Sequence, residues 1–206
     1  MTLLRIHPEN PQQRLMDQAV KKLREGGILI YPTDTVYAIG CDIKNHRAIE
    51  RLCQIKGIKL KNANFSIICN DLSHLSEYTK QIDNSVFKLM KKALPGPYTF
   101  ILKASMLVPK ILHHSKRTIG IRVPENRIPQ DLVHQLGNPI ITASLKQDDD
   151  ILEYPTDPEL IYEQFNKQVD LVIDGGYGQA WASTVIDATD YPVEVVREGL
   201  GSVEIL

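Results

Sequence analysis

The sequence predicts an α/β fold: a single domain in which a twisted mixed β-sheet is covered by helices in three layers. Three observations carry this expectation. Segments with the apolar period of a helix alternate with short, nearly continuous apolar runs of the buried-strand type. Three extended runs follow closely on one another between residues 169 and 199, so the sheet should be mixed rather than purely parallel. No repeat, low-complexity tract or Gly/Ser linker divides the 206 residues, so one domain spanning 1–206 is expected.

In chain order, Asn10 and Pro11 read as the cap and first turn of a helix with Leu15, Ala19 and Leu23 inward, and Gly26–Gly27 end it. ILIY is a buried strand, YPTDT a polar loop and YAIGC a second extended run. HRAIERLCQIK is a helix burying Ala48, Ile49, Leu52 and Cys53. NFSIIC is a strand, and NSVFKLMKKALPG a helix capped by Asn84 that stops before Pro95. PYTFILKA, TIGIRV and PIITAS are extended, with PQDLVHQLGN a short helix between the last two. TDPELIYEQF begins a helix with its own cap and an early proline. VDLVIDGG, STVIDA and PVEVVREG complete the strands.

Composition narrows the class. With 43% apolar and 24% charged residues the chain is ordinary for a soluble globular protein. No apolar stretch approaches the roughly 18 residues of a membrane helix. The N-terminal MTLLRIHPENPQQR lacks the basic-then-apolar pattern of a signal peptide. Cys41, Cys53 and Cys69 are odd in number and not in C-x-x-C spacing. They fit reduced, buried thiols in a cytoplasmic protein better than a disulfide framework or zinc site. The net charge of −1 conceals an asymmetry: residues 1–122 hold 20 Lys/Arg against 9 Asp/Glu, residues 123–206 only 4 against 16. The basic part is compatible with an anionic partner, nucleotide or RNA, and equally with charges that meet the acidic part or water.

Several segments carry residue types with chemistry. YPTDTVYAIG sets Thr33, Asp34 and Thr35 directly after a buried strand, where α/β sheets bind ligands; the same residues also suit a plain turn. LPGPYTFIL fixes a bend and projects Thr99 from the start of a strand. In TIGIRVP, Arg122 ends a buried strand, where its planar fork would meet either a carboxylate or phosphate ligand or a local acid. Arg51, Lys56, Lys59 and Lys61 form a basic helix end, which the macrodipole alone would favour. PIITAS delivers Thr142 and Ser144, followed by Lys146 and the run Asp148–Asp150, read as a solvated connection. STVIDA and VVREG add Ser183, a turn-forming Asp187 and Arg197. The phosphate-loop, dinucleotide, G-x-S-x-G and H-E-x-x-H signatures are all lacking.

Taken in order, YPTDTVYAIG, the lysine-bearing helix end, LPGPYTFIL, IRVP, PIITAS, STVID and VVREG resemble the YrdC/YciO family of threonylcarbamoyl-adenylate synthases and their relatives. The resemblance runs from about Gly26 to Gly201, and the N-terminal IHPENPQQRLMDQA is most similar to the YciO branch. It implies a large basic concave cleft in which ATP, as its Mg²⁺ complex and not tightly held, meets L-threonine or a related amine and bicarbonate. The products are threonylcarbamoyl-AMP and pyrophosphate, on the way to a modified tRNA; double-stranded RNA binding is also implied. Carried onto this chain, Lys56, Ser144 and Arg122 would be catalytic. Lys56, Thr99, Ser144, Lys146 and Arg197 would hold the nucleotide. Thr33, Arg122, Thr142 and Ser183 would hold the amino acid. No resident metal is implied.

The chain departs from that pattern. The synthases have Lys-x-Arg-Pro where this chain has Lys56-Gly57-Ile58-Lys59, and Ser-x-Ser-Ala-Asn where it has Thr142-Ala143-Ser144-Leu145-Lys146. Ile58 cannot supply an arginine clamp, and Lys59 is a point charge without the fork. The expectations are therefore a nucleotide-dependent enzyme with weak or altered activity, or an RNA- or nucleotide-binding protein with a degenerate site. A phosphosugar enzyme like the dihydroxybutanone-phosphate synthases is disfavoured, because its acidic metal-binding motif is not found.

Overall fold

The structure, a computed structural model, describes residues 2–60, 63–112, 117–145 and 155–206. Lys61, Lys146 and Asp148–Asp150, all singled out from the sequence, lie outside the described residues. The strands are β1 (Thr2–Arg5), β2 (Leu29–Tyr31), β3 (Ala38–Asp42), β4 (Ser66–Ile68), β5 (Tyr98–Lys103), β6 (Thr118–Arg122), β7 (Ile140–Ser144), β8 (Leu171–Asp174), β9 (Thr184–Asp187) and β10 (Glu194–Arg197). The helices are α1 (Gln13–Arg24), α2 (His46–Ile55), α3 (Leu72–Tyr78), α4 (Asn84–Ala93), α5 (Arg127–Leu136) and α6 (Pro158–Phe165).

Among the described residues the strands form one ten-stranded sheet, in the order β1-β8-β2-β3-β7-β4-β6-β5-β9-β10. It is mixed, as expected. β1, β8 and β2 run parallel, as do β4 with β6 and β5 with β9. The pairs β2–β3, β3–β7, β4–β7, β5–β6 and β9–β10 are antiparallel.

Local chemistry sets the helix ends. Asn45 caps α2 by accepting from Ala48 N, Asn126 caps α5 through Ile128 N, and Asp157 caps α6 with Pro158 in its first turn. Two sequence expectations shift. α1 begins at Gln13 after a Gln12 that makes no side-chain cap, and buries Met16, Ala19, Val20 and Leu23, with Leu15 only partly covered. The cap of α4 is Asp83, whose carboxylate takes Ser85 N, and Asn84 is already helical. β1 and α3 are additional to the elements read from the sequence. β1 is a short edge strand, and α3 is a two-turn helix whose signal is the Asp71 cap.

The strands alternate in the period-two sense, and this divides the core. Ile30, Ile39, Cys41, Ile67, Phe100, Ile119, Ile121, Ile141 and Ile186 face one side, in a cluster shared with α2, α3, α4 and α6. Leu29, Tyr31, Ala38, Ile68, Ile140 and Leu171 face the other, under α1 and α5. That makes three layers: helices, sheet, helices. The second face differs in one respect. Its apolar cover extends over β1, β8, β2 and β3 and reaches Ile140 on β7 and Ile68 on β4, then gives way to Thr142, Ser66, Gly120, Arg122 and Thr99 on β7, β4, β6 and β5.

Burial pushes the thiols of Cys41, Cys53 and Cys69 up, along with the phenols of Tyr31 and Tyr37. An acid raised in the folded state keeps its proton after the unfolded chain has released it. Stability should therefore be fully present below the ordinary thiol value and fall as pH rises above about 8.5. Urea unfolding midpoints measured from neutral to alkaline pH should decline across that window. A flat profile would contradict the burial of these groups.

Candidate functional site

The polar half of the second sheet face is built in register. Thr142 is paired with Gly40 on one side and Ser66 on the other, and Ser66 with Gly120. Arg122 is paired with Ile68. Continuing the β5–β6 register by one residue sets Thr99 opposite Arg122. Thr99 in turn pairs with Val185, and Val185 with Arg197. One row across the sheet therefore carries Arg122, Thr99 and Arg197, and the row beside it Thr142 and Ser66.

Two glycines keep this floor low. A Cβ on Gly40 would meet the Tyr31 hydroxyl at 2.8 Å and press into Ile141 O. Because it is absent, Tyr31 lies across the sheet and meets Thr142 Oγ1 at 2.9 Å. A Cβ on Gly120 would collide with Ser66 Oγ and stand 3.2 Å from Thr99 Cγ2. The floor from Tyr31 to Thr99 is thus lined by hydroxyls, two of which lie in the space that a Cβ on either glycine would take.

The loop after β2 closes one side. Thr33 Oγ1 donates to Val36 O at 2.8 Å and accepts from Thr35 N at 3.0 Å, so the turn that the sequence allowed is present. Arg122 reaches into this loop. Its Nη2 donates to Asp34 Oδ1 at 2.9 Å and to Thr35 Oγ1 at 2.8 Å. Both members of the ion pair are about 8% exposed, so of the two partners the sequence left open, the local acid is the one met. Asp34 Oδ2 also takes Glu125 N at 3.1 Å. Arg122 Nε has no partner. Desolvation pulls the Arg122 pKa down, Asp34 opposes this, and Arg197 pulls the same way as burial. The two guanidinium groups therefore sense each other across Thr99.

The remaining residues complete two ends. Lys56, buried at the end of α2, donates from Nζ to Ser144 O at 2.7 Å and so ties that helix to the end of β7. Thr99 Oγ1 and Ser183 Oγ lie 2.8 Å apart, both buried. Arg197 Nη2 donates to Ser183 O at 3.0 Å. The structure therefore sets Lys56, Thr142 and Ser144 at one end of the polar face, Thr99, Ser183 and Arg197 at the other, and Arg122 with the Thr33–Thr35 loop beside them. Ile58 packs, partly buried, against the apolar cluster on the opposite face, and Lys59 is exposed.

Sequence reasoning singled out most of these residues but not Tyr31, Ser66 or the two glycines. A phenol and a serine inside apolar strand runs read as core, and only the register discloses their face. A separate cleft of about 300 Å³, lined by Lys80, Ile82, Leu102, Lys103, Asp190 and Tyr191 among others, lies beside β5 and β9 and contains none of the site residues.

Fold and site together define a class: an α/β protein whose mixed sheet presents hydroxyls and fixed cations on one half of one face. Residues 21–199 match the family model Sua5_yciO_yrdC, described as "Telomere recombination", and the chain belongs to this family. It is 48% identical to the Escherichia coli (strain K12) protein YciO, itself described as uncharacterized, over 97% of this chain and 96% of that one. The crystal structure of E. coli YciO superposes with a TM-score of 0.92 at 47% identity, covering 99% and 98% of the two chains. The threonylcarbamoyl-AMP synthase of Coxiella burnetii is 31% identical over 83% of this chain and 90% of its own. Pyrococcus abyssi Sua5, solved with L-threonine, superposes with a TM-score of 0.87 at 28% identity over 97% of this chain and 58% of that one.

The ion pair gives a prediction. Asp34→Ala leaves the Arg122 guanidinium buried without its carboxylate and should cost about 3–5 kcal/mol. Removing both charges, as in Asp34→Ala with Arg122→Leu, should recover a large part. Urea denaturation of the three proteins measures this. Equal losses in the single and double variants would show that the unpaired guanidinium is not what destabilises Asp34→Ala.

Proposed function

We propose that this chain binds ATP, with Mg²⁺ as part of the substrate complex, and forms threonylcarbamoyl-AMP from L-threonine or a related amine and bicarbonate at a rate well below that of the synthases. The carrying observation is the band of buried and half-buried hydroxyls and cations on one half of a sheet face, from Lys56 and Ser144 to Ser183 and Arg197. Kinship with threonylcarbamoyl-AMP synthases and with a Sua5 solved with L-threonine supports the substrate class.

The reading assigns roles in a basic concave cleft. The substrate amine attacks the carbon of bicarbonate, and water leaves to give the carbamate. The carbamate oxygen attacks the α-phosphorus of ATP, the bond to the bridging oxygen breaks, and pyrophosphate leaves. Such a step needs positioning and charge stabilisation more than covalent help. Lys56, Arg197 and Lys146 meet phosphate oxygens. Thr99 and Ser144 orient the nucleotide. Arg122, through the part of its fork that Asp34 does not occupy, meets the amino-acid carboxylate. Thr142, Ser183 and the Thr33 loop complete that pocket. The product would feed tRNA modification in the cytoplasm.

The low rate follows from Ile58. Its apolar side chain packs against the opposite core, so the position of the synthase arginine supplies no cation. Calorimetry should detect binding of ATP or AMP in the presence of Mg²⁺ and threonine, and no heat with either nucleotide would sink the reading. Ile58→Arg combined with Lys146→Asn should raise threonylcarbamoyl-AMP formation from its low starting level. No gain in the double variant would show that the loss lies elsewhere in the site.

A second reading, RNA or nucleotide binding without catalysis, is favoured by the excess of 20 basic over 9 acidic residues in positions 1–122. Its mark would be an affinity for duplex RNA that drops steeply with salt.

A further inference from the structure

The segment from Gly175 to Ser183 runs from the end of β8 to the start of β9, and β8 and β9 are far apart in the sheet. It therefore crosses over the strands between them as a strap. Its course is fixed by main-chain bonds. Gly178 N donates to Thr156 O at 2.8 Å, and Gln179 N to Thr35 O at 3.1 Å. At the far end Ser183 Oγ meets Thr99 Oγ1, and Leu200 N donates to Ala182 O at 2.8 Å.

Both anchors are site residues. Thr35 accepts from Arg122 through its hydroxyl, and Thr99 stands opposite Arg122 in the sheet. Trp181 is the midpoint of the tether, two residues from Gln179 and two from Ser183. Two residues of extended chain reach at most about 7 Å, so the Trp181 backbone is held at the rim of the site whatever its side chain does. The indole is not part of either apolar cluster. Trp181 is 54% exposed, and Tyr177 on the same strap is 80% exposed. A large planar apolar ring on a strap tethered at both ends to the polar site, with a guanidinium two residues away on Ser183 O, supplies the two parts that a nucleotide needs: a face for the base and a cation for the phosphates.

We propose that Trp181 is a stacking platform for the nucleobase of the nucleotide that occupies this site. The proposal rests on the nucleotide-binding reading above and assigns the base end of it. It makes Trp181 a binding and specificity residue, with a preference for purines over pyrimidines because the larger ring covers more of the indole.

Trp181 is the single tryptophan of the chain, so fluorescence excited at the red edge, beyond the absorption of the tyrosines, reports on it alone. Adding ATP or AMP should quench that signal, and inorganic triphosphate, which has no base, should not. By calorimetry, Trp181→Ala should weaken ATP binding by about fivefold to a hundredfold, the range of one base–aromatic stack, and leave triphosphate binding unchanged. Trp181→Phe should restore most of the affinity. Trp181 is about half exposed and lies outside both apolar clusters, so each variant should stay folded, with a thermal midpoint within a few degrees of the parent's. Equal ATP affinity in parent and Trp181→Ala would overturn the platform while leaving the nucleotide reading standing. No nucleotide binding by the parent would overturn both. Equal losses for ATP and triphosphate would overturn the base contact in favour of a loop-positioning role.

Discussion

The pair formed by Arg122 and Asp34 joins two parts of the structure that would otherwise be independent. Arg122 ends a strand whose other side is packed in the main core, and Asp34 sits in the loop that follows β2, 88 residues earlier. An arginine this deep is tolerated only with its charge matched and its donors placed. Asp34 matches the charge, Thr35 takes a second bond, and the same carboxylate holds the backbone of Glu125. The loop, the strand and the turn leading into α5 are thereby fixed together. Thr35 then offers its carbonyl to the strap, so the orientation of one guanidinium is passed on to the segment that borders the site.

The polar face depends on that arrangement because the surrounding strands are apolar. A sheet covered by helices on both sides would ordinarily be dry throughout. Here α1 and α5 cover only part of one face, and the uncovered part carries Thr142, Ser66, Thr99 and Ser183 over a floor lowered by Gly40 and Gly120. The hydroxyls satisfy one another in pairs, Tyr31 with Thr142 and Thr99 with Ser183. A site in this condition costs little in the absence of ligand, because few buried donors are left without acceptors. Arg122 Nε is one of the exceptions.

Much of this was legible in the sequence, and the residues show why. Buried strands such as ILIY and helices such as HRAIERLCQIK have strong periods, so their existence and type followed from pattern alone. The class of the sheet followed from the spacing of the last three strands. The polar motifs were visible because hydroxyls, a lysine and arginines at strand ends break the apolar pattern. Harder to read were features that only pairing creates. Tyr31 is a core residue by composition and a site residue by face. Gly40 and Gly120 are unremarkable until Tyr31 and Ser66 are seen lying over them. Arg122 had two chemical partners in view, and no local rule could bring Asp34 across 88 residues. Ile58 marked a departure in the sequence, and in the structure its side chain packs, partly buried, against the other core.

The order of strands also has a temporal meaning. β1 is attached to the sheet only through β8, whose residues Leu171–Asp174 come late in the chain, and β5 lacks its outer neighbour until Thr184–Asp187 arrive. A chain leaving the ribosome N-terminus first therefore waits with two open sheet edges, one beside β2 and one beside β5, and both are closed by the same late stretch. That stretch also carries the strap, Ser183 and Arg197. Filling the gaps in the sheet and finishing the polar face are thus one event in synthesis, and no partly made chain holds the complete candidate site.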